Sequence, residues 1–368
     1  MQEAMQAFKQ HGSKTAAADA LGVNRGTYNH RLMRAIAAGL DEDIVHAAPA
    51  GHVVKGVSTQ YSGDGTIISQ WVKTKAGQPS FEEITEAIAG AFEEYRGTAE
   101  IAEPPVSSEP ELATVYPLAD WHIGLLAWHR EVEQDWDLTI AEAAIGKAME
   151  RLVARSPASE TAVVLGLGDL LHADNYDNMT ARSGHKLDVD GRYPKVLKVA
   201  TKLVVHTIEL ALRKHQTVIV RLLPGNHDDQ SAIAVSLALA LRYEGHPRVK
   251  VDDDPSRFWW WRWGKTFLGA AHGDMAKMDK LPLIMASRHP EDWGASEHRF
   301  IMTGHIHHRE KLNAREFAGV TVESFNSPAG KDAWQHGAGF VSGQCVNSLT
   351  FHNVEGELSR SRVNIVTS

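Results

Sequence analysis

The residues best suited to chemistry in this chain fall into five short polar clusters: Asp120-Trp121-His122, Gly168-Asp169, Gly225-Asn226-His227-Asp228, His272-Gly273-Asp274 and Gly304-His305-Ile306-His307. Each offers an imidazole, a carboxylate or a carboxamide, the nitrogen and oxygen donors that divalent cations take. One such cluster alone is no more than a turn or a capped strand end. Five of them, each following a short apolar run, make a pattern. The spacing of His305 and His307 adds to it, because alternate residues of an extended segment point the same way while Ile306 turns into the core. The single cysteine, Cys345, excludes an intramolecular disulfide and a thiolate zinc cluster. Any metal must therefore sit on His, Asp, Asn or Glu.

Such clusters need strands to present them. Apolar runs at 114–118, 162–167 and 217–223 each end in one, and helical segments at 141–155 and 195–214 lie between. The alternation predicts an α/β layer fold with ligands gathered at strand ends. Further strands are expected at 258–263, 266–271, 300–303 and 320–325, and the tail from 339 to 366 reads as all-β. A two-sheet sandwich flanked by helices closes such a set. No apolar stretch approaches a membrane span, and no basic segment, apolar run and cleavage site mark the N-terminus, so no membrane association and a cytoplasmic location are expected.

The order D-x-H, G-D, G-N-H-D, H, G-H-x-H resembles the calcineurin-like metallophosphoesterase superfamily over roughly residues 114–325. The resemblance implies a four-layer α/β/β/α sandwich and two divalent metal ions. Manganese is expected, with iron, zinc, magnesium and nickel as the other choices. Carried over by position, Asp169 would bridge the metals, Asp120, His122 and His307 would complete one, and Asn226, His272 and His305 the other. Two cations about 3.5 to 4 Å apart relieve both the charge of a phosphate diester and the cost of making hydroxide. His227 would face the scissile phosphate, donating to a non-bridging oxygen or protonating the leaving oxygen, with Asp228 orienting it.

Within that superfamily, LADWHIG and GDLLHADN look most like the SbcD-type DNA repair exonucleases, through Asp120, His122 and Gly124, then Gly168, Asp169, Leu170 and His172. The chain departs in two ways. Residues 172–193 form a longer polar insertion that should overhang the metals, and no ATPase-docking helices follow the catalytic domain. The insertion offers His172, Asn175, Asn178, Arg182, His185 and Arg192 for substrate contact, or else is a loop whose polar groups satisfy one another. In the run RFWWWRWGK, alternation places Trp259, Trp261 and Trp263 on one face as core and Trp260 with Arg262 on the other, a reading preferred to base stacking. Trp121 is expected to wall the site.

The remaining sequence divides into 1–40, a connecting region at 41–97 and a Pro-containing linker at 98–111, ahead of a catalytic domain at 112–368. Residues 1–40 carry Lys9, Lys14, Arg25, Arg31 and Arg34 against Glu3 and Asp19, a basic head on a chain of net charge -8. The segment SKTAAADALGVNRGTYNHRL resembles the helix-turn-helix of Fis-like and homeodomain-like DNA-binding modules. Gly22 would make the turn, Val23 pack between helices and Asn24 cap the third. Arg25, Thr27, Tyr28, Asn29, His30 and Arg31 would meet a major groove. The other reading is a helical bundle for protein contacts. Residues 53–75 read as a hairpin around Gly63-Asp64-Gly65, and 80–96 as an amphipathic helix.

A tethered helix-turn-helix favours DNA as substrate, and the arrangement is similar to proteins of tailed bacteriophages. Three functions follow: a metal-dependent DNA nuclease, exo or endo; a nucleotide or small-molecule phosphatase or pyrophosphatase; and a DNA-binding regulator on a vestigial catalytic fold. Assembly as a homo-oligomer is left open.

Overall fold

A computed structural model describes residues 2–37, 52–63, 67–76, 97, 99–180, 183–306, 314–339 and 342–367. The chain forms two compact units, Met1–Ile84 and Thr85–Ser368.

The first holds helices α1 (Gln2–His11), α2 (Lys14–Ala20) and α3 (Arg25–Ala37) and an antiparallel pair, β1 (His52–Tyr61) and β2 (Ile67–Ala76). Local signals set the boundaries. Ser13 caps α2 by accepting from Ala16 N at 3.2 Å, Asn24 caps α3 by accepting from Thr27 N at 2.8 Å, and Gly22 takes a φ of +64° in the turn between them. Ala4, Ala7, Ala17, Ala18, Tyr28 and Leu32 form a small core, with Val23 packed against it. Tyr28 is therefore removed from the expected groove-facing set: its ring is fully buried and its hydroxyl donates to Ala4 O at 2.7 Å. Arg25, Thr27, Asn29 and Arg31 are exposed, and Asn29 accepts from Lys14 Nζ. The helix expected at 80–96 lies outside the described residues.

The second unit begins along its own core. The stretch read as a linker is held against it, with Arg248 donating to Ala102 O and Gln216 to Pro105 O. Then come β3 (Glu109–Leu118), helices α4 (His129–Val132) and α5 (Leu138–Arg155), β4 (Ser159–Gly166), α6 (Tyr193–Leu212), β5 (Thr217–Leu222), α7 (Ser231–Arg242) and β6 (Val249–Asp252). They are followed by β7 (Phe258–Trp263), β8 (Thr266–Ala271), α8 (Leu281–Arg288), α9 (Pro290–Ala295), β9 (His298–Thr303), β10 (Ala314–Phe317), β11 (Val320–Ser324), α10 (Ala333–Gly337), β12 (Cys345–His352) and β13 (Gly356–Asn364). One sheet has the order β13-β12-β3-β4-β5-β6, with β3 to β6 parallel. The other has the order β10-β11-β9-β8-β7, with β8, β9 and β11 parallel.

The side-chain period of two explains the layers. Val115, Val163 and Leu165 face Leu268, Ala270, Phe300 and Met302 of the other sheet, while Tyr116, Leu118, Ala162, Val164, Val218 and Val220 face α5, α6 and α7. On the far side Phe267, Ala271 and Ile301 meet Leu281 and Met285 of α8. The result is an α/β/β/α sandwich. On β7, Trp259, Trp261 and Trp263 stack in sequence at 6.0 and 5.4 Å, and Trp260 packs on the opposite face against Phe258 and Phe267. The alternation expected for that run is present: Trp259 and Trp261 serve the core between the sheets and Trp260 the one beneath α8. Among the described residues no helix is long and apolar enough to cross a membrane.

Candidate metal centre

The five clusters stand immediately beyond β3, β4, β5, β8 and β9, at the ends toward which these parallel strands run. To turn functional atoms inward the backbone enters the left-handed region at Asp120 (φ 49°), His122 (43°), Asp169 (53°) and His305 (67°). For non-glycine residues this costs roughly 1–2 kcal/mol each, and it persists only where the surroundings hold it. Here they do: His122 N donates to Asp169 O at 3.0 Å, and His305 N donates to both Asp120 carboxylate oxygens at 3.0 and 2.9 Å. Gly225 allows the closest approach, since a Cβ there would stand 2.0 Å from Asp169 Oδ1.

Asp169 is the hub. Its carboxylate belongs to two ligand groups, one with Asp120 and His122 and one with His272 and His305, the donor atoms of each lying within 4.8 Å of one another. Asn226 Oδ1 lies 3.0 Å from His272 Nε2, which lies 3.2 Å from Asp169 Oδ2. Burial alone would raise the Asp169 pKa, but His272 outweighs it, with His227 and His122 adding, and holds the carboxyl well below its usual range. Burial likewise depresses the His272 imidazole, yet the Asp169 charge and hydrogen bond carry it up to about 10. His305 goes the other way, lowered by burial and by His272. His272 Nδ1 donates to Leu167 O at 2.8 Å, which fixes the tautomer and turns Nε2 toward Asp169. Buried Asp120, His122, Asp169 and His272, with partly exposed Asn226 and exposed His305, make a set of oxygen and nitrogen donors around one common carboxylate that fits a pair of divalent cations. His307 lies outside the described residues.

His227 lines the cavity beside these groups. Its Nδ1 bonds to His172 O at 2.8 Å, leaving Nε2 for the cavity, and its ring stands 4.8 Å from that of His122 and 5.4 Å from that of His172. The expected partnership with Asp228 is absent. Asp228 is fully buried and accepts from Gly225 N, Asp169 N, Leu170 N and Leu171 N at 2.7 to 3.2 Å. Burial, with the nearby Asp169 charge, pushes its pKa up to about 7 against the pull of the Gly225 amide and of His272. It clamps the two ligand turns together, and the His172 carbonyl orients His227. Standing next to a histidine in sequence does not place the carboxylate beside it in space.

A cavity of about 500 Å³ opens over these residues. His122, Asp169, Asn226, His227 and His305 line it together with Thr180, Ser183, His185, Lys186 and Leu187. Of the insertion's expected contacts, His172 and His185 reach the cavity. Asn175 does not: it accepts from Asp177 N at 2.9 Å and donates to Met179 O, which makes it a turn residue. Asn178 lies in the same turn with φ 51°, and Arg192 stands at the start of α6. Neither lines the cavity, and Arg182 lies outside the described residues. Trp121, expected to wall the site, is fully buried between the six-stranded sheet and its helices. Lys331, Asp332, Trp334, Gln335 and Ser342 also line the cavity, a set that sequence reasoning misses. The only signal there is Asp332, a capping residue ahead of Trp334 and Gln335.

No family model matches the chain, and a search of curated proteins gives no match. Among solved structures it is similar to a Vps29 double mutant from Entamoeba histolytica (13% identity, 69% of this chain and 99% of that one, TM-score 0.26). It is also similar to a 5'-nucleotidase precursor from Thermus thermophilus (11% identity, 70% of this chain and 54% of that one, TM-score 0.33). Scores this low leave the α/β/β/α fold resting on the chain's own strand order and packing.

Proposed function

We propose that this chain is a metallophosphoesterase that hydrolyses phosphodiester bonds, and that its substrate is DNA. The observation that carries the reading is the Asp169 carboxylate, which belongs to two groups of candidate ligands and accepts a hydrogen bond from the His227 backbone N. Asp120, His122 and Asp169 would hold one cation, joined by His307; Asp169, Asn226, His272 and His305 would hold the other. When bound, the pair would neutralise the phosphate and lower the cost of deprotonating water. Manganese suits the sulfur-free nitrogen and oxygen set.

The protein's own side chains do the rest. With Nδ1 committed to the His172 carbonyl, His227 turns Nε2 toward the cavity, where it can donate a proton to a phosphate oxygen or to the leaving group. Thr180, Ser183, His185, Lys186 and Leu187, with Lys331, Asp332, Trp334, Gln335 and Ser342, line the same cavity and would surround a bound phosphate ester. The exposed Arg25, Thr27, Asn29 and Arg31 on α3 support DNA as the partner of the N-terminal unit.

A second reading, a nucleotide phosphatase, is favoured by the cavity, whose volume of about 500 Å³ suits a small ligand. The test supplies manganese to wild-type protein and His227→Ala with end-labelled linear DNA, circular single-stranded DNA, a mononucleotide and bis-p-nitrophenyl phosphate. Cutting of DNA and of the diester, lost in His227→Ala with metal retained, is the expected result. Turnover of the mononucleotide alone would replace the DNA reading with the second.

A further inference from the structure

The His172 carbonyl that orients His227 must itself be held, and the chain two residues further on holds it. The Asp174 side chain is 9% exposed and accepts from Gln230 N at 2.9 Å, from Ser231 N at 2.8 Å and from Ser231 Oγ. Those amides open α7, and Gln230, the residue before that helix, supplies no cap from its own side chain. Ser231 Oγ, having donated to Asp174, accepts from Tyr193 OH at 2.6 Å, so both ends of the insertion meet at Ser231.

The contact is half of an exchange. Asp228, one residue after His227, accepts from the amides of Asp169, Leu170 and Leu171, while Asp174, two residues after His172, accepts from the amides of Gln230 and Ser231. Each segment lays a carboxylate on the other's backbone. Between the two clamps lies the bond from His227 Nδ1 to His172 O, with the two rings stacked at 5.4 Å. His172 N is tied elsewhere, to Ile123 O at 3.0 Å, but its carbonyl belongs to the next peptide, whose path toward Asp174 the second clamp sets.

We infer that Asp174 is a positioning residue for His227: by capping α7 from the insertion's first residues it fixes the separation of the His172 carbonyl from the His227 ring, and so the direction of Nε2. The inference rests on the phosphoesterase reading for what Nε2 does. The state of the imidazole can nevertheless be read without any bond being broken.

The first readout is nitrogen-15 NMR of the histidine rings in full-length protein with magnesium, about two pH units above the ordinary histidine value, where an unperturbed imidazole is neutral. The His227 signal is the one missing from His227→Ala. In wild type the carbonyl should keep the proton on Nδ1, and in Asp174→Asn and Asp174→Ala the ring should become a mixture with the proton also on Nε2. The second readout is turnover of bis-p-nitrophenyl phosphate with manganese. Asp174→Asn, which keeps one acceptor oxygen, should lose about tenfold in kcat with KM and metal content unchanged, less than the roughly 100-fold that a misplacement of about 1 Å can cost, and Asp174→Ala should lose more. In the His227→Ala background the same substitutions should change the residual rate by less than about twofold, because a residue that acts through His227 has nothing left to position. A His227 proton that stays on Nδ1 in both Asp174 variants overturns the inference. So does an unchanged kcat, or a loss in the His227→Ala background equal to that in wild type, which a purely structural helix cap would give. Absence of diester turnover in wild type counts against the phosphoesterase reading alone, and the tautomer then decides the role of Asp174.

Discussion

At the scale of single residues, the site is governed by competition between a proton and a cation for the same donor. Metal-free His272 is carried up to about 10 by the Asp169 carboxylate 3.2 Å away, so near neutral pH its imidazole is protonated. A cation entering between them must expel that proton. Metal affinity should therefore fall as the solution is made more acidic, and calorimetric titration in two buffers of different ionisation enthalpy should detect about one proton released at this site. A pH-independent affinity with no proton release would count against His272 as a ligand. His227 has a different part. Its Nε2 is free to meet a phosphate because Nδ1 is tied to a carbonyl, so His227→Ala should lose roughly 100-fold or more in diester hydrolysis, the usual scale for general acid-base groups, with its metal content intact.

At the scale of elements, strand ends and turns decide where those residues stand. The parallel strands are legible because mainly apolar runs such as 162–167 and 217–223 are largely buried on both faces, and the polar residues that follow must then crowd at one edge. The gathering of Asp120, His122, Asp169, His272 and His305 at that edge is legible for the same reason. Inference from neighbourhood in sequence is what fails. Asp228 follows His227 but faces the opposite way, and Trp121 sits between two ligands but points into the core. Tyr28 lies among exposed α3 residues yet fills the centre of the helical unit. Adjacency suggests a shared role for such side chains, whereas a turn with positive φ or a helix sends successive residues in different directions. The cavity-lining residues Lys331, Asp332, Trp334, Gln335 and Ser342 follow no apolar period and are silent in the sequence. Two variants probe the turns. Asp228→Ala strips the acceptor from four buried amides and should lower unfolding stability by about 3 kcal/mol, read as a shift in urea midpoint. Gly225→Ala puts a methyl against Asp169 Oδ1 and should lose metal binding at a smaller cost in stability. A Gly225→Ala protein with wild-type metal content would show that Asp169 has room to move.

At the scale of the whole molecule, stability and the proposed partner both make predictions. His215, fully buried between Tyr116 and Ser159, bonds to them at 2.8 and 2.7 Å, and burial pushes its pKa down to about 4. The unfolded chain takes up that proton near pH ~6.5, so the stabilisation is complete above that pH and is lost as pH falls toward 4, by about 3 kcal/mol in all. Urea unfolding of wild type should weaken across that window, and His215→Gln should show a flatter profile. If the N-terminal helices bind duplex DNA, Arg25→Gln and Arg31→Gln should each reduce the salt slope of binding by about 0.9. The central claim, however, is the shared carboxylate, and titration of manganese into EDTA-stripped protein addresses it directly. Wild type should take up two ions per chain and Asp169→Asn should lose both tight sites; a single ion in wild type, or two undiminished sites in Asp169→Asn, would contradict the account.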